Sequence, residues 1–282
     1  MTTIVNALAE ALAAGCALPA MNAPGFDAMV GMHRASHESG MPMVIQTSAR
    51  IVERHGPRTV KTWFDAASTI AGGECFLHLD HCSNDDTIRA CIAAGWDMVM
   101  FDGSHLSIDD NCARSAALAK EAHAAGTAIE GEVGPVGGEE DGRTAVAQVA
   151  RLEDVERLAA TSGIDCIAVG FGNVHGNYTT TANLRWDVYE SAHAAANLPL
   201  VLHGGSGLSD QEFLRAIDAG TAKINISTEL KKAYAAVAAD PVLAQQLRRD
   251  PALIHDGFER AAYELALHYM SLFRSDRGGT SR

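Results

Sequence analysis

Eight short apolar runs constrain the fold of this chain, because each is followed by a turn and then by an alanine-rich stretch. The turns are rich in Gly, Asn, Asp and Ser, and the stretches at 84–94, 109–125 and 209–219 carry apolar residues at helical spacing. The predicted strands are residues 17–21, 43–46, 75–79, 98–101, 128–132, 166–169, 200–202 and 222–226. Eight strand–helix units in 282 residues are typical of a (β/α)8 TIM barrel. A doubly wound sheet is the alternative, but no GxGxxG follows the first strand.

The chain shows no shift in composition that would divide it into domains. We therefore expect one barrel domain over residues 1–273, closed by C-terminal helices. Residues 274–282, RSDRGGTSR, are polar and contain Gly, so we expect this tail to be disordered.

Charge and cysteine content exclude several classes of protein. The 22 Lys and Arg against 35 Asp and Glu give a net charge of −13, which argues against nucleic acid as a partner but leaves a small anionic substrate open. The six cysteines form no CxxC pair, and we expect a reduced, cytoplasmic protein. No apolar run approaches the roughly 18 residues of a membrane span, so a membrane partner is not expected.

Polar residues follow six of the predicted strands at the end where barrel enzymes carry their chemistry. They lie in the segments HLDHCSNDD (78–86), FDGSH (101–105), IEGEVGPVGGEEDG (129–142), GFGNVHGNY (170–178), LHGGSG (202–207) and KINIST (223–228). His81, His175 and His203 stand at three of these ends and predict a zinc site, because three imidazoles leave one position open for substrate or water. A single strand-end histidine is more often structural, and the coincidence of three favours the metal. Seven other histidines lie on predicted helices or loops and are expected on solvated surface: His33, His37, His55, His123, His193, His255 and His268.

Asp80 directly precedes His81. Neighbouring residues of a strand point to opposite faces, so both reach the site only if the strand has ended there. A carboxylate beside a metal-bound oxygen can carry a proton to or from a substrate hydroxyl. The alternative role for Asp80 is to cap the helix that begins near Asn84.

Glycine-rich turns and a loop complete the candidate site. GNVHG and LHGGSG let the backbone approach an anion, and Ser206 and the turn after Asn225 add hydroxyl and amide donors, which together predict a phosphate cradle. The alternative is that these glycines only allow tight turns and bind no phosphate. The acidic segment 134–150 looks like a mobile loop that could deliver Glu139 or Glu140 to bound substrate, or could be an inert surface loop.

HLDHC at 78–82 and IEGEVGPVGGEE at 129–140 resemble the two signature regions of the class II, zinc-dependent ketose-bisphosphate aldolases, the family of fructose-bisphosphate and tagatose-bisphosphate aldolases. FGNVHGNY, LHGGSG and KINIST follow in the family's order at compatible spacing. The resemblance covers residues 17–230. It implies reversible cleavage of a ketose 1,6-bisphosphate to dihydroxyacetone phosphate and glyceraldehyde 3-phosphate, in cytoplasmic carbohydrate metabolism such as glycolysis.

The resemblance also implies roles for individual residues. His81, His175 and His203 would ligate zinc, Asp80 would move the proton of the fourth-carbon hydroxyl, and Glu140 would exchange the carbon-bound proton of the dihydroxyacetone phosphate half. Asp102 and Glu132 would line a second metal position. The substrate and its phosphate would be held by Asn22, Gly176, Gly204, Ser206, Asn225, Ser227 and Thr228. Many family members use a monovalent cation, and they form dimers or tetramers.

Two departures from the family pattern leave the substrate open. Family members usually carry Asp-Pro-Arg near the C-terminus, and this Arg reaches into the site of a neighbouring subunit, where it binds the phosphate at the aldehyde end of the substrate. This chain has Ala252 at the position of the Arg. Arg248, Arg249 or Arg50 could replace that cation. Ser227 also stands where some fructose-bisphosphate enzymes have Asp. The alternative substrates for an aldolase are a ketose 1-phosphate and a sugar-acid phosphate. The alternative functions are a non-catalytic companion subunit and a metal-dependent hydrolase.

Lys223 is the only strand lysine that a class I, Schiff-base aldolase could use. With the histidine set intact, we interpret Lys223 as structural.

Overall fold

A computed structural model describes residues 2–140, 143–176 and 184–274, with backbone alone for 139, 140 and 143–145. Eight parallel strands close into a barrel in the order β1-β2-β3-β4-β5-β8-β10-β11, which confirms the predicted TIM barrel. Three further strands, β6, β7 and β9, form a small separate sheet. The strands are β1 Leu18–Asn22, β2 Met43–Ser48, β3 Cys75–Cys82, β4 Met98–Phe101, β5 Ala128–Val133, β6 Gly137–Glu140, β7 Arg143–Ala145, β8 Cys166–Val169, β9 Val174–His175, β10 Leu200–Leu202 and β11 Thr221–Ile226.

Helices surround the barrel and occupy the stretches with helical apolar spacing. They are α1 Ile4–Ala14, α2 Phe26–Ser39, α3 Ala49–His55, α4 Pro57–Ala71, α5 Asp85–Ala93, α6 Ile108–Ala124, α7 Leu152–Ser162, α8 Trp186–Ala196, α9 Asp210–Asp218, α10 Thr228–Ala239, α11 Pro241–Gln246 and α12 Leu253–Phe273. No helix in the described ranges combines the length and apolarity needed to cross a bilayer.

Two apolar layers hold the barrel together. One lies between the strands and the outer helices. The other fills one end of the barrel interior, where Leu18, Val44 and Phe76 meet the buried face of α1, including Ile4 and Leu8. Helix α1 therefore packs against the apolar end of the barrel, and the polar strand ends lie at the other.

Side-chain caps start several helices where the sequence has Asn or Ser. Asn84 accepts hydrogen bonds from the amides of Asp86 and Thr87 at the start of α5. Ser209 and Glu212 form a reciprocal capping box at the start of α9. These bonds satisfy amides that have no partner inside the helix, so they fix where the helices begin.

The described residues of segment 134–150 include two strands where the sequence predicts a loop. β6 pairs antiparallel with β7 and parallel with β9, where Gly138 lies opposite His175. Gly138 has φ +93°, and an added Cβ would lie 2.3 Å from the His175 carbonyl oxygen. The glycine is therefore required for this close approach.

His33 does not lie on the surface, as its sequence position predicted. Its side chain is fully buried between α2 and α4, with Nδ1 2.9 Å from the carbonyl oxygen of Gly72 and the ring against Phe64. Burial lowers the pKa of His33, so its neutral form is favoured.

Candidate active site

The polar strand ends converge on one face of the barrel. β3 carries Asp80 and His81, β5 carries Glu132 and β10 leads into His203. Asp102 follows β4, and His175 belongs to β9 of the small sheet. The structure thus brings together residues that are up to 123 positions apart in the chain, as the barrel topology predicts.

The backbone at His81 allows two neighbouring residues to face the same site. The expectation that the strand ends here was wrong, because β3 continues to Cys82. His81 instead has φ +42°, and the pairing of β3 with β4 shifts register between Leu79 and Cys82. Left-handed backbone is rare for a side chain larger than glycine, and here it breaks the strand's alternation.

Asp80 is almost fully buried and both of its carboxylate oxygens are occupied. The Asn22 amide donates to Oδ2 at 2.8 Å, and the Asn225 amide donates to Oδ1 at 3.0 Å. Asn22 accepts in turn from the Gln46 amide at 2.8 Å. The carboxylate is therefore held from two sides, and the capping role considered for Asp80 belongs to Asn84.

His81, His175 and His203 form a compact cluster. Their candidate ligand nitrogens lie within 4.8 Å of one another. His203 Nδ1 is 2.7 Å from His81 Nε2, and the His81 and His175 rings meet edge to face at 4.8 Å between centroids. The three histidines that were predicted to share a metal thus have their rings close together.

A buried carboxylate defines which nitrogen of His203 faces the cluster. Glu130 Oε1 lies 2.7 Å from His203 Nε2, and Glu130 Oε2 lies 2.8 Å from the Lys223 ammonium. Burial alone would raise the pKa of Glu130, but Lys223 and His203 hold it well below its usual range. An ionised carboxylate only accepts, so His203 carries its proton on Nε2 and presents the Nδ1 lone pair to His81.

His81 is surrounded by carboxylates. Its Nδ1 lies 3.3 Å from Asp102 Oδ2 and 3.8 Å from Glu132 Oε2. Burial would lower the pKa of His81, but Asp80, Asp102 and Glu132 outweigh burial and raise the pKa well above its ordinary value. The imidazolium that results shows that this point of the structure favours positive charge.

Glu132 carries a buried oxygen that lacks a hydrogen bond. Its Oε1 accepts from the Val136 amide, whereas Oε2 has no hydrogen-bond partner within the described part of the chain. Burial, followed by the nearby charge of Asp102, raises the pKa of Glu132 to about 8. Glu132 Oε2 lies 3.8 Å from the Nδ1 atoms of His81 and His203, where a cation would satisfy it.

These donors fit a zinc ion. Imidazole nitrogens and carboxylate oxygens are ligands that zinc prefers, and neutral His203 is ready to bind because burial and the neighbouring His81 lower its pKa. A second set of candidate ligands shares His81 with Asp102 and Glu132. Both sets consist of residues that the sequence analysis named as candidate metal ligands.

Three residues behind the site, Glu130, Gln46 and Asn173, were given no role from the sequence, and a fourth, Lys223, was interpreted only as structural. Glu130 and Lys223 form a fully buried ion pair, Gln46 supports Asn22, and the Asn173 amide donates to the His203 carbonyl oxygen at 2.7 Å. The signal was present in part, since a charged residue inside an apolar strand must have a partner. Lys223 is structural as interpreted, because an ammonium paired with a carboxylate is not the free amine that a Schiff base needs.

The predicted substrate-binding residues lie around the same mouth. Gly204 has φ +63°, and an added Cβ would lie 2.6 Å from the Val174 carbonyl oxygen, so only glycine fits there. Gly176 follows β9, while Ser206 and Asn225 are buried. Ser227 and Thr228 begin α10, and Ser227 Oγ is buried without a hydrogen-bond partner among the described residues.

The loop glutamates are placed only by their backbone. Glu139 and Glu140 belong to β6, and their side chains lie outside the described part of the structure. The tail expected to be disordered lies outside it from residue 275 onward.

Fold and site together define a (β/α)8 barrel with a candidate histidine metal site at its functional face. The family profile described as Fructose-bisphosphate aldolase class-II matches residues 2–277. The chain belongs to this class II fructose-bisphosphate aldolase family, which is generally zinc-dependent and acts on phosphorylated sugars; aldolases are lyases.

Individual relatives agree with the family. A fructose-bisphosphate aldolase of Streptococcus pyogenes is 37% identical over 225 residues, which are 78% of this chain and 76% of the relative. A 6-phospho-5-dehydro-2-deoxy-D-gluconate aldolase of Shouchella clausii is 33% identical over 250 residues, covering 88% and 85%. The solved YdjI aldolase of Escherichia coli K12 superposes with a TM-score of 0.83 at 25% identity, over 98% of both chains.

Proposed function

We propose that this protein is a zinc-dependent aldolase that reversibly cleaves a ketose 1,6-bisphosphate, of fructose or tagatose, to dihydroxyacetone phosphate and glyceraldehyde 3-phosphate. One observation carries the proposal. Asp80, fixed by the amides of Asn22 and Asn225, lies directly beside the cluster of His81, His175 and His203. A held carboxylate next to a metal site is what cleavage beside a substrate hydroxyl requires.

The three histidines hold the catalytic zinc in this proposal, and Asp102 and Glu132 line a second metal position. When bound, zinc supplies a Lewis acid that draws electron density from the substrate ketone. Glu130 fixes the tautomer of His203, and Asp102 orients His81.

Asp80 takes the proton of the fourth-carbon hydroxyl. As that proton leaves, the bond between the third and fourth carbons breaks, its electron pair passes to the third carbon, and the aldehyde departs. Two amide donors hold the Asp80 carboxylate in place for this step. Glu140, on the strand that pairs with the His175 strand, returns a proton to the third carbon.

The dihydroxyacetone phosphate half lies against the last barrel strands. Gly176 and Gly204 allow close backbone approach, and Ser206, Asn225, Ser227 and Thr228 supply polar groups there. Support comes from α10, whose first-turn amides have no side-chain cap from Ser227 and can therefore donate to a phosphate.

The cellular setting belongs to the same proposal. The enzyme works in the cytoplasm as a homodimer or homotetramer on a small phosphorylated sugar, without nucleic acid or membrane as partner, and a monovalent cation assists it. The net charge of −13 supports the exclusion of nucleic acid.

A sugar-acid phosphate is the second candidate substrate, because the relative from Shouchella clausii is named for one and is 33% identical over most of its length. Cleavage would use the same residues and release the same dihydroxyacetone phosphate.

Release of dihydroxyacetone phosphate from zinc-loaded protein tests the proposal. The substrates are fructose 1,6-bisphosphate, tagatose 1,6-bisphosphate and fructose 1-phosphate, each with and without chelator. We expect chelator-sensitive cleavage that prefers one bisphosphate. Asp80→Asn keeps the shape of the side chain and should lower kcat about 100- to 10,000-fold while the protein still binds zinc.

A matched pair of histidine variants separates the metal site from general damage. His203→Ala should lose bound zinc, whereas His255→Gln, an exposed histidine paired with Asp27, should retain it. Wild-type kcat in the Asp80→Asn variant would contradict the proposal. Equal zinc content in the two histidine variants would also contradict it.

A further inference from the structure

A cavity of about 420 Å³ is lined by residues at and beyond the ends of β1, β2 and β11, and it is one hydrogen bond away from Asp80. Asn22 and Ser227 line it, and the same Asn22 amide donates to Asp80 Oδ2 at 2.8 Å. In the proposed reaction the reactive hydroxyl meets Asp80. The part of the substrate beyond that hydroxyl, which leaves as the aldehyde, therefore extends into this cavity.

Two arginines of α3 line the cavity. Arg50 and Arg54 are four residues apart on the helix, so they share one face. Neither guanidinium forms a hydrogen bond or ion pair with any residue that the structure describes. Arg89 and Arg114, in contrast, pair with Glu121 and Asp85.

The lining carries no negative charge. Among the described residues no aspartate or glutamate lines this cavity, although the chain has 35 of them and a net charge of −13. A concave surface with two arginines and no carboxylate among its described lining residues attracts an anion.

Two hydroxyl groups belong to residues that line the cavity. Ser227 Oγ and Tyr234 Oη are buried and have no hydrogen-bond partner within the described ranges. A buried hydroxyl without a partner costs free energy, and a polar group that enters the cavity would relieve that cost. This observation is independent of the arginines and also indicates a polar ligand.

We infer that Arg50 and Arg54 bind an anionic group, a phosphate or a carboxylate, at the far end of the aldehyde half and so determine substrate specificity. The inference rests on the proposed function. Guanidinium groups suit this role because their paired N–H donors match both anions. Arg248 and Arg249, the other arginines considered for the role, do not line the cavity.

Aldol synthesis with zinc-loaded protein and dihydroxyacetone phosphate provides the first test. The three aldehydes are D-glyceraldehyde 3-phosphate, succinate semialdehyde and uncharged D-glyceraldehyde, so that phosphate and carboxylate are compared with a neutral group. We expect wild-type protein to prefer one anionic aldehyde, and that preference identifies the anion. In Arg50→Gln/Arg54→Gln the preference over D-glyceraldehyde should fall about 10- to 100-fold, mainly through KM.

Arg58→Gln is the matched control, because Arg58 lies in the first turn of the next helix and does not line the cavity. It should keep the wild-type preference. A double variant that retains the preference, wild-type protein with no preference for either anion, or an equal loss in Arg58→Gln would overturn the inference.

Arginine labelling provides a second test that needs no turnover. Phenylglyoxal modification of the wild-type protein, read site by site by mass spectrometry, should slow at Arg50 and Arg54 when inorganic phosphate or malonate is added, while Arg58 reacts at an unchanged rate. If no aldehyde gives product, the proposed function fails, and labelling alone decides the anion site. Absence of selective protection would overturn it.

Discussion

Removal of the Lys223 ammonium should destabilise the barrel far more than a surface substitution would. Lys223 and Glu130 are fully buried and 2.8 Å apart. At an effective dielectric of about 20, two charges at that separation attract by about 6 kcal/mol. Lys223→Met leaves the Glu130 charge buried without its cation, and removal of one partner from a buried pair typically costs about 3–5 kcal/mol.

The double variant Lys223→Met/Glu130→Gln tests the cause of that loss. It removes both charges at nearly constant volume, so most of the lost stability should return. Urea unfolding in the presence of chelator measures both variants against wild type. The zinc affinity of the double variant, measured by competition with a chelator, should fall about 10- to 100-fold. The reason is that the Glu130 carboxylate, which fixes the tautomer of His203, is replaced by an amide.

Two results would refute this reasoning. A loss below about 1 kcal/mol for Lys223→Met would mean that Glu130 does not need the buried cation. A double variant as unstable as the single one would mean that packing of the lysine stem, not charge, carries the stability.

Three further predictions concern the proton, the pH dependence and the fold. Asp80→Asn should lower kcat about 100- to 10,000-fold with less than tenfold change in zinc affinity, measured by cleavage assay and chelator competition; loss of zinc instead would refute a proton-transfer role. The pKa of Glu132 is raised from 4.5 to about 8 in the metal-free fold, so folding takes up a proton in that range and stability is lost as pH rises through it. In the presence of chelator, Tm should therefore fall as pH rises from about 4.5 to 8, and zinc should raise Tm most at pH 8. Glu132→Gln should flatten this dependence of Tm on pH in the metal-free protein. An unchanged dependence in that variant would contradict its assignment to Glu132. Asn84→Ala should cost about 1 kcal/mol in urea unfolding and leave kcat unchanged, because it removes only the α5 cap, and an undiminished midpoint would show that the cap is dispensable.

The sequence predicts the parts of this protein that depend on local pattern. Apolar runs, turns and helical spacing predict all eight barrel strands and the face where His81, His175 and His203 gather. Asn84 and Ser209 also cap helices where the sequence suggests starts. Parallel barrel topology fixes which strand ends are neighbours, so long-range placement of the histidines follows from local signals.

Other features depend on pairings between distant segments. The Glu130–Lys223 contact joins positions 93 residues apart, and the hydrogen bond of Gln46 to Asn22 joins two strands. The positive φ of His81 is a tertiary effect, since the shifted β3–β4 register imposes a backbone that histidine rarely adopts. The strand β6 of segment 134–150 likewise pairs with β9, which lies more than 30 residues further along the chain.

The ladder between β6 and β9 has a mechanical consequence. His175 faces Gly138 across two parallel strands, and Glu140 lies two residues further along the same strand as Gly138. Backbone pairing thus ties the position of His175 to that of the strand that carries Glu140. The candidate metal ligand His175 and the strand that carries Glu140 are therefore joined at Gly138, a position where no larger side chain fits.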